Sequence, residues 1–316
     1  MKKHFLGLIC VLLASSVSLA HAQGKVMIGT GGETGVYYAT GQVLCGLLKA
    51  TGIDCDAPPG KGSVANLMAL NAGAVHVAMV QSDWQFHAYS GSSKWKGDKI
   101  DRLRALFSVY AEPVQVVVNR DAGIKNWYGL KGHSINIGNP GSGQRETMEE
   151  MLDAQRWKPD IFSAVSELPS SQQVEAFCAG SFDAFIYTVG IPNDAMKRAV
   201  ADCNGMLIEP HNTIIRKLAT AARPYYSKVT IPAKTYWDGQ KKVDTFGVLA
   251  TLVTTSDADP VVVEALLKAV FENFNGFRAK HPAYANSRPE SMVSDGLSAP
   301  LHDAARAYYV SKGWIK

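Results

Sequence analysis

Two glycine-rich stretches carry most of the chemistry this sequence offers. Gly29-Thr30-Gly31-Gly32-Glu33-Thr34-Gly35-Val36-Tyr37-Tyr38 follows the apolar Val26-Met27-Ile28, and Asn139-Pro140-Gly141-Ser142-Gly143-Gln144-Arg145 follows Ile135-Asn136-Ile137. A strand that turns through glycine into a helix leaves several backbone N–H groups unpaired and aimed outward. With the positive end of the helix dipole, those donors suit a carboxylate or a phosphate. Two such mouths in one chain point to a ligand held between two lobes.

Other chemistries fail on spacing. The first loop is not a dinucleotide fingerprint, because Thr34 stands where the third glycine belongs. Gly60-Lys61-Gly62-Ser63 ends like a phosphate loop, but Cys55 occupies its first glycine position and Gly62 its hydroxyl position. It reads better as a turn into a helix near Ser63, where Ser63 caps the helix or donates to a ligand. Ser93-Lys94-Trp95-Lys96 matches a bare S-x-x-K without the companion Lys-Thr-Gly, inside what reads as an exposed loop from Ser90 to Asp98. Gly141-Ser142-Gly143 lacks the spacing of a nucleophile elbow. The histidines are dispersed, and no base pairs with a nucleophile, so neither catalysis, a metal nor a cofactor is expected.

The remaining candidates are polar side chains at strand ends and helix starts. Gln81-Ser82-Asp83 and Tyr187-Thr188 follow buried strands, as cleft-lining groups or as solvated loop residues. Arg145 sits in the first turn of a helix, where the dipole disfavours a cation. It calls for an anion, either a ligand carboxylate or Glu146 or Glu149. Tyr37 and Tyr38 are about 100° apart on a helix, so one is expected in the core and the other along the cleft.

The elements that position these groups alternate as in α/β folds. Strands are expected at 26–30, 75–80, 103–110, 114–119, 135–138, 183–187 and 246–254. Helices are expected at 36–50, 63–72, 144–156 and 170–179, after Pro192, and as one long helix over 260–280. Pro113 cannot donate a ladder hydrogen bond and marks a break or crossing. Polar groups delivered to strand C-terminal edges lie where open α/β sheets bind ligands.

The ends and the cysteines set the compartment. Lys2 and Lys3, the apolar run from Phe5 to Leu13 and Ala20-His21-Ala22 read as a cleaved secretory signal over 1–22, with Gln23 as the mature start and a periplasmic destination. About 290 residues remain, enough for two domains with sizeable cores. Lys and Arg number 32 against 28 Asp and Glu, scattered rather than striped, which argues against nucleic acid. Beyond Cys10, which lies in the signal, Cys45, Cys55, Cys178 and Cys203 form an even set suited to disulfides. Three pairings are open; the local one, Cys45–Cys55 and Cys178–Cys203, closes one loop in each lobe. A metal site has no Cys-x-x-Cys to support it.

An ordered series of motifs resembles the TAXI family, the extracytoplasmic solute receptors of tripartite ATP-independent periplasmic (TRAP) transporters. The series runs through GTGG-x-x-G-VYY at 29–38, GSV-x-NL-x-ALNAG at 62–73, VQSD at 80–83 and Glu112-Pro113-Val114. It continues with IGNPGSGQRET at 137–147, DAFIYTVG at 183–190, PYY at 224–226, TFGV at 245–248 and GLSAPLH at 296–302. The resemblance implies a two-lobed α/β periplasmic binding protein of the type II kind, with lobe 1 from 23–111 and 246–316 and lobe 2 from 112–245. It implies hinges near 110–113 and within 223–248. It also implies capture of a carboxylate or amino acid such as glutamate, by a monomer that hands it to an ion-gradient-driven membrane permease. The same fold could serve a sensor that signals through a membrane kinase. The implied ligand shell is Thr30, Gly31, Tyr37, Ser63, Gln81, Asp83, Asn139, Ser142, Gly143, Arg145 and Thr188. Glu33-Thr34 departs from the Thr-Gly of many relatives, which adds Glu33 as a candidate contact for an amino group.

Overall fold

The computed structural model describes residues 24–210 and 212–316. The expected signal segment, with Cys10, lies outside the described residues. Among those residues, no helix is long and apolar enough to cross a membrane.

The first half opens with β1 (Val26–Gly29), α1 (Val36–Ala50), β2 (Cys55–Asp56), α2 (Ser63–Asn71), β3 (Val77–Gln81) and α3 (Ser82–Ser90). Then comes β4 (Leu103–Asn119). The second group is β5 (Ser134–Asn136), α4 (Gly143–Gln155), β6 (Ala164–Ser166), α5 (Ser170–Cys178), β7 (Ala184–Thr188), α6 (Asp194–Ala201), β8 (Gly205–Ile208), α7 (Asn212–Leu218) and β9 (Ser227–Ile231). Strand β10 (Val243–Thr255) and helices α8 (Pro260–Phe271), α9 (Phe274–Arg278), α10 (Pro289–Met292) and α11 (Asp303–Ser311) close the chain.

The strands follow the order β2-β1-β3-β10-β4-β7-β5-β6, with β8 beside β4 and β9 beside β10. Two long strands hold this path together. The first part of β4 pairs antiparallel with β10, from Leu103 opposite Thr255 to Pro113 opposite Gly247. Its second part pairs with β7 and β8. Strand β10 likewise pairs with β3 through Ala250–Val253 and with β9 through Val243–Gly247. Both strands change partners at the level of Pro113 and Gly247.

At this level the expected break is a crossing. Strand β4 is continuous, and the missing Pro113 N–H falls where the strand leaves β10 for β7. A Cβ on Gly247 would come within 2.7 Å of the Glu112 carbonyl oxygen, so glycine is what lets the two strands approach. One apolar cluster with Ile28, Leu44, Leu106 and Leu266 continues past the crossing through Val117, Phe177 and Phe185, and another gathers Val116, Ile135, Met148 and Ile186. A third packs Leu67, Val80 and Trp84 beneath α2 and α3.

Cys45 is bonded to Cys55, tying α1 to β2, and Cys178 to Cys203, tying α5 to the turn after α6. One local expectation is corrected and one alternative resolved. The long helix over 260–280 divides, because Asn273 leaves helical geometry and its side chain accepts the Gly276 N–H, capping α9 afresh. Ser82 and Asp83 are not solvated loop residues: they open α3 and are buried. The loop from Ser90 to Asp98 is largely exposed, as expected, with Trp95 buried and Lys94 paired to Glu146. Helix α7 carried no clear sequence signal.

Candidate functional site

Helix starts define the site. Among the described residues, the N-termini of α1, α2, α3, α4 and α5 all border one cavity, through Gly35 and Val36, Gly62 and Ser63, Gln81, Ser142 and Gly143, and Pro169 to Ser171. Strands β1, β3, β5 and β7 deliver the chain to this edge, so the cavity lies outside their C-terminal ends. The N-cap residues of α1, α2, α3 and α5 make no side-chain cap; in α4 Ser142 accepts the Arg145 N–H, and within the first turn of α3 Asp83 accepts the Trp84 N–H. Uncapped N–H groups and five positive dipole ends create a field that favours an anion without a guanidinium.

The cavity holds about 100 Å³, and the walls on its two sides touch. The Ala65 N–H donates to the Gly141 carbonyl at 3.0 Å. The Thr34 hydroxyl donates to the Ser170 carbonyl at 3.0 Å, and Asn193 Nδ2 donates to the Thr34 carbonyl at 2.9 Å. At Gly143 a Cβ would lie 2.1 Å from Gln81 Oε1, so any side chain would hold the walls apart. Gly62 adopts φ 101°, which favours glycine and turns the chain directly into α2. The arrangement is a closed cleft.

Of the sequence candidates, Gly31, Tyr37, Ser63, Gln81, Asn139, Ser142, Gly143 and Thr188 line this cavity together. The Ser63 hydroxyl accepts the Gln81 N–H at 3.1 Å, which fixes one start against the next. Thr188 is buried with its hydroxyl unpartnered. Tyr37 combines the two roles expected of Tyr37 and Tyr38, being both buried and cleft-lining.

Four candidates are placed elsewhere. Thr30 lies beneath the loop, its hydroxyl bonded to the Pro58 carbonyl. Glu33 lines a separate outer cavity of about 620 Å³ with Thr34, Asp194, Arg198 and His281. Arg145 bonds Glu149 at 2.7 Å and pairs with Glu167. The anion its position demands is therefore supplied by the protein. Asp83 is buried behind the wall, where its carboxylate accepts the Trp84 N–H at 2.8 Å and the Tyr226 hydroxyl at 2.9 Å.

The most consequential residue that sequence reasoning passed over as a site residue is Glu112. Glu112 lines the cavity and is buried, and the Tyr37 hydroxyl donates to its Oε2 at 2.8 Å. Burial holds this carboxyl well above the usual carboxylate range, against the Tyr37 hydrogen bond and with the Asp83 charge adding to it. From Ala105 to Val118 it is the only charged residue in an otherwise uncharged strand, and that isolation was the available signal. Gln144, Ser170, Ser171 and Tyr187 also line the cavity. Burial pushes the Tyr187 phenol up to about 12, so it is a neutral donor there.

A sequence model described as the NMT1-like family matches residues 28–313. A solved structure from Bordetella bronchiseptica RB50 resembles this one with a TM-score of 0.58 at 16% identity, over 92% of this chain and 98% of that one. The L-arginine complex of Tv2483 gives 0.50 at 13% identity, over 86% and 92%. These likenesses are of fold alone.

Proposed function

The chain belongs to the NMT1-like family, and from that premise we propose that it is an exported, non-enzymatic solute-binding protein that captures a small organic acid. The observation that carries this reading is the convergence of five helix starts, four of them without a side-chain cap from the N-cap residue, on one small closed cavity. Such a site gives an anionic group several N–H donors and no reacting partner. The L-arginine bound to the Tv2483 fold relative is in keeping with a solute of amino-acid size.

The finer proposal follows the motif resemblance. The protein is a TAXI-type receptor of a TRAP transporter in the periplasm, taking a carboxylate or amino acid and delivering it to an ion-gradient-driven permease. Lobe 1 comprises 23–111 and 246–316 and lobe 2 comprises 112–245, with β4 and β10 as the hinge strands. The ligand first meets one wall; closure brings the other, and the contacts made only in the closed state drive the motion. Gly31, Tyr37, Ser63, Gln81, Asn139, Ser142, Gly143 and Thr188 form the proposed shell.

Thermal unfolding across a panel of carboxylates and amino acids tests the reading. A true ligand at a hundredfold excess over its Kd adds ~2.7 kcal/mol to stability and raises the unfolding midpoint. A panel in which no acid moves the midpoint overturns it.

A further inference from the structure

Glu112 is out of place in a cavity built for an anion. Were it ionised with nothing bound, a carboxylate in the wall would repel the solute that the helix starts attract, and burial makes that ionisation costly. The groups facing it relieve neither effect. Tyr37 from α1 donates one hydrogen bond, Tyr110 lies two residues away on the same strand, Tyr187 faces it from β7, and Asp83 at the start of α3 is itself acidic. Among the described residues no cation pairs with it; the nearest lysine of the lining, Lys61, is exposed at the rim.

We infer that Glu112 decides which acids the cleft accepts, as the counter-charge for a cationic nitrogen carried by the same solute. The helix starts hold the acid end and Glu112 holds the ammonium end, so a zwitterionic acid is preferred over the plain acid of the same skeleton. This rests on the anion-capture reading above. In the empty cleft burial favours the protonated form of Glu112. When the ammonium arrives, that proton passes to the buffer, and the charged carboxylate accepts N–H donors from the solute while keeping the Tyr37 bond. No covalent bond of the solute changes.

Titration calorimetry at pH 7 with matched pairs tests this: L-alanine and propionate, L-aspartate and succinate, L-glutamate and glutarate, each in PIPES and in Tris. The amino member of a binding pair should bind at least ~10-fold more tightly. Its heat should differ between the buffers by the amount expected for release of one proton. In Glu112→Gln the amino-to-plain affinity ratio should fall to within about 3-fold and the buffer dependence should vanish, since an amide neither ionises nor offers a counter-charge. A plain acid that binds as tightly as its amino partner overturns the inference and leaves anion capture standing. So does a ratio that survives Glu112→Gln. A panel with no binding removes both. Should the variant fail to fold, the buffer dependence of the unaltered protein decides the matter.

Discussion

Two buried carboxyl–tyrosine pairs look alike on paper and differ in what surrounds them. Glu112 takes the hydroxyl of Tyr37 at 2.8 Å, and Asp83 takes that of Tyr226 at 2.9 Å. Burial raises both carboxyls; that of Asp83 is pushed up to about 8, with the Glu150 charge adding to the effect. Asp83 is closed in on both oxygens, by the Trp84 N–H and the Tyr226 hydroxyl, and holds α3 to the segment before β9. Glu112 has one tyrosine and borders the cavity. Burial with both oxygens hydrogen-bonded makes a fastening; burial with one side free makes a receptor.

The largest expected effect is on the pH dependence of stability. Asp83 is protonated in the folded protein to about pH 8 but ionises near pH 4 when unfolded, so the folded state binds the extra proton between these values. Its stabilising contribution is therefore complete below about pH 4 and lost as pH rises to about 8, with ~4 kcal/mol of the fall lying between pH 5 and pH 8. Glu112 acts with the same sign. Urea unfolding of the ligand-free protein at pH 5 and pH 8 measures the fall, and Asp83→Asn should flatten it. A stability that rises over this range would show that neither carboxyl is held neutral.

Next in size, Asp83→Ala should cost about 3 kcal/mol at pH 5, because the Tyr226 hydroxyl and Trp84 N–H lose their acceptor in a dry site. Glu112→Gln should cost less than about 1 kcal/mol there, since the isosteric amide still accepts from Tyr37. Equal losses would erase the distinction between fastening and receptor. The two tyrosines sharpen it further: Tyr226→Phe should lower stability by about 1.5 kcal/mol, and Tyr37→Phe by about 0.5 kcal/mol in the empty protein. The smallest effect belongs to Arg145→Ala, whose exposed glutamate partners limit the change to about 0.5 kcal/mol and ligand affinity to within about 2-fold. A tenfold loss of affinity would return Arg145 to the ligand shell.

The same contrast explains what was legible in the sequence. Glycine loops, strand ends and helix starts are local, so the two mouths and most helices could be read from adjacent residues. So could the helix starts at Val36 and Ser63. Whether a polar residue after a strand faces the cavity is not local. Asp83 and Gln81 leave the same strand two residues apart, yet Tyr226, 143 residues away, seals Asp83 while Gln81 stays at the cavity wall. Glu112 sits mid-strand, where a sequence gives no edge to aim it. Arg145 was half legible: its need for an anion could be read, but Glu167, 22 residues on, answers it.

The place of β10 bears on how the chain is made. This strand lies between β3 and β4, yet it is more than 120 residues later in the sequence than either of their facing ends near Gln81 and Pro113. The sheet begun by β1 and β3 therefore lacks its centre until most of the polypeptide has been synthesised, whereas β5 to β8 emerge together and can pair at once. Non-local pairing of this kind is slow. The early strands therefore remain open for longest, and their pairing waits on the arrival of β10.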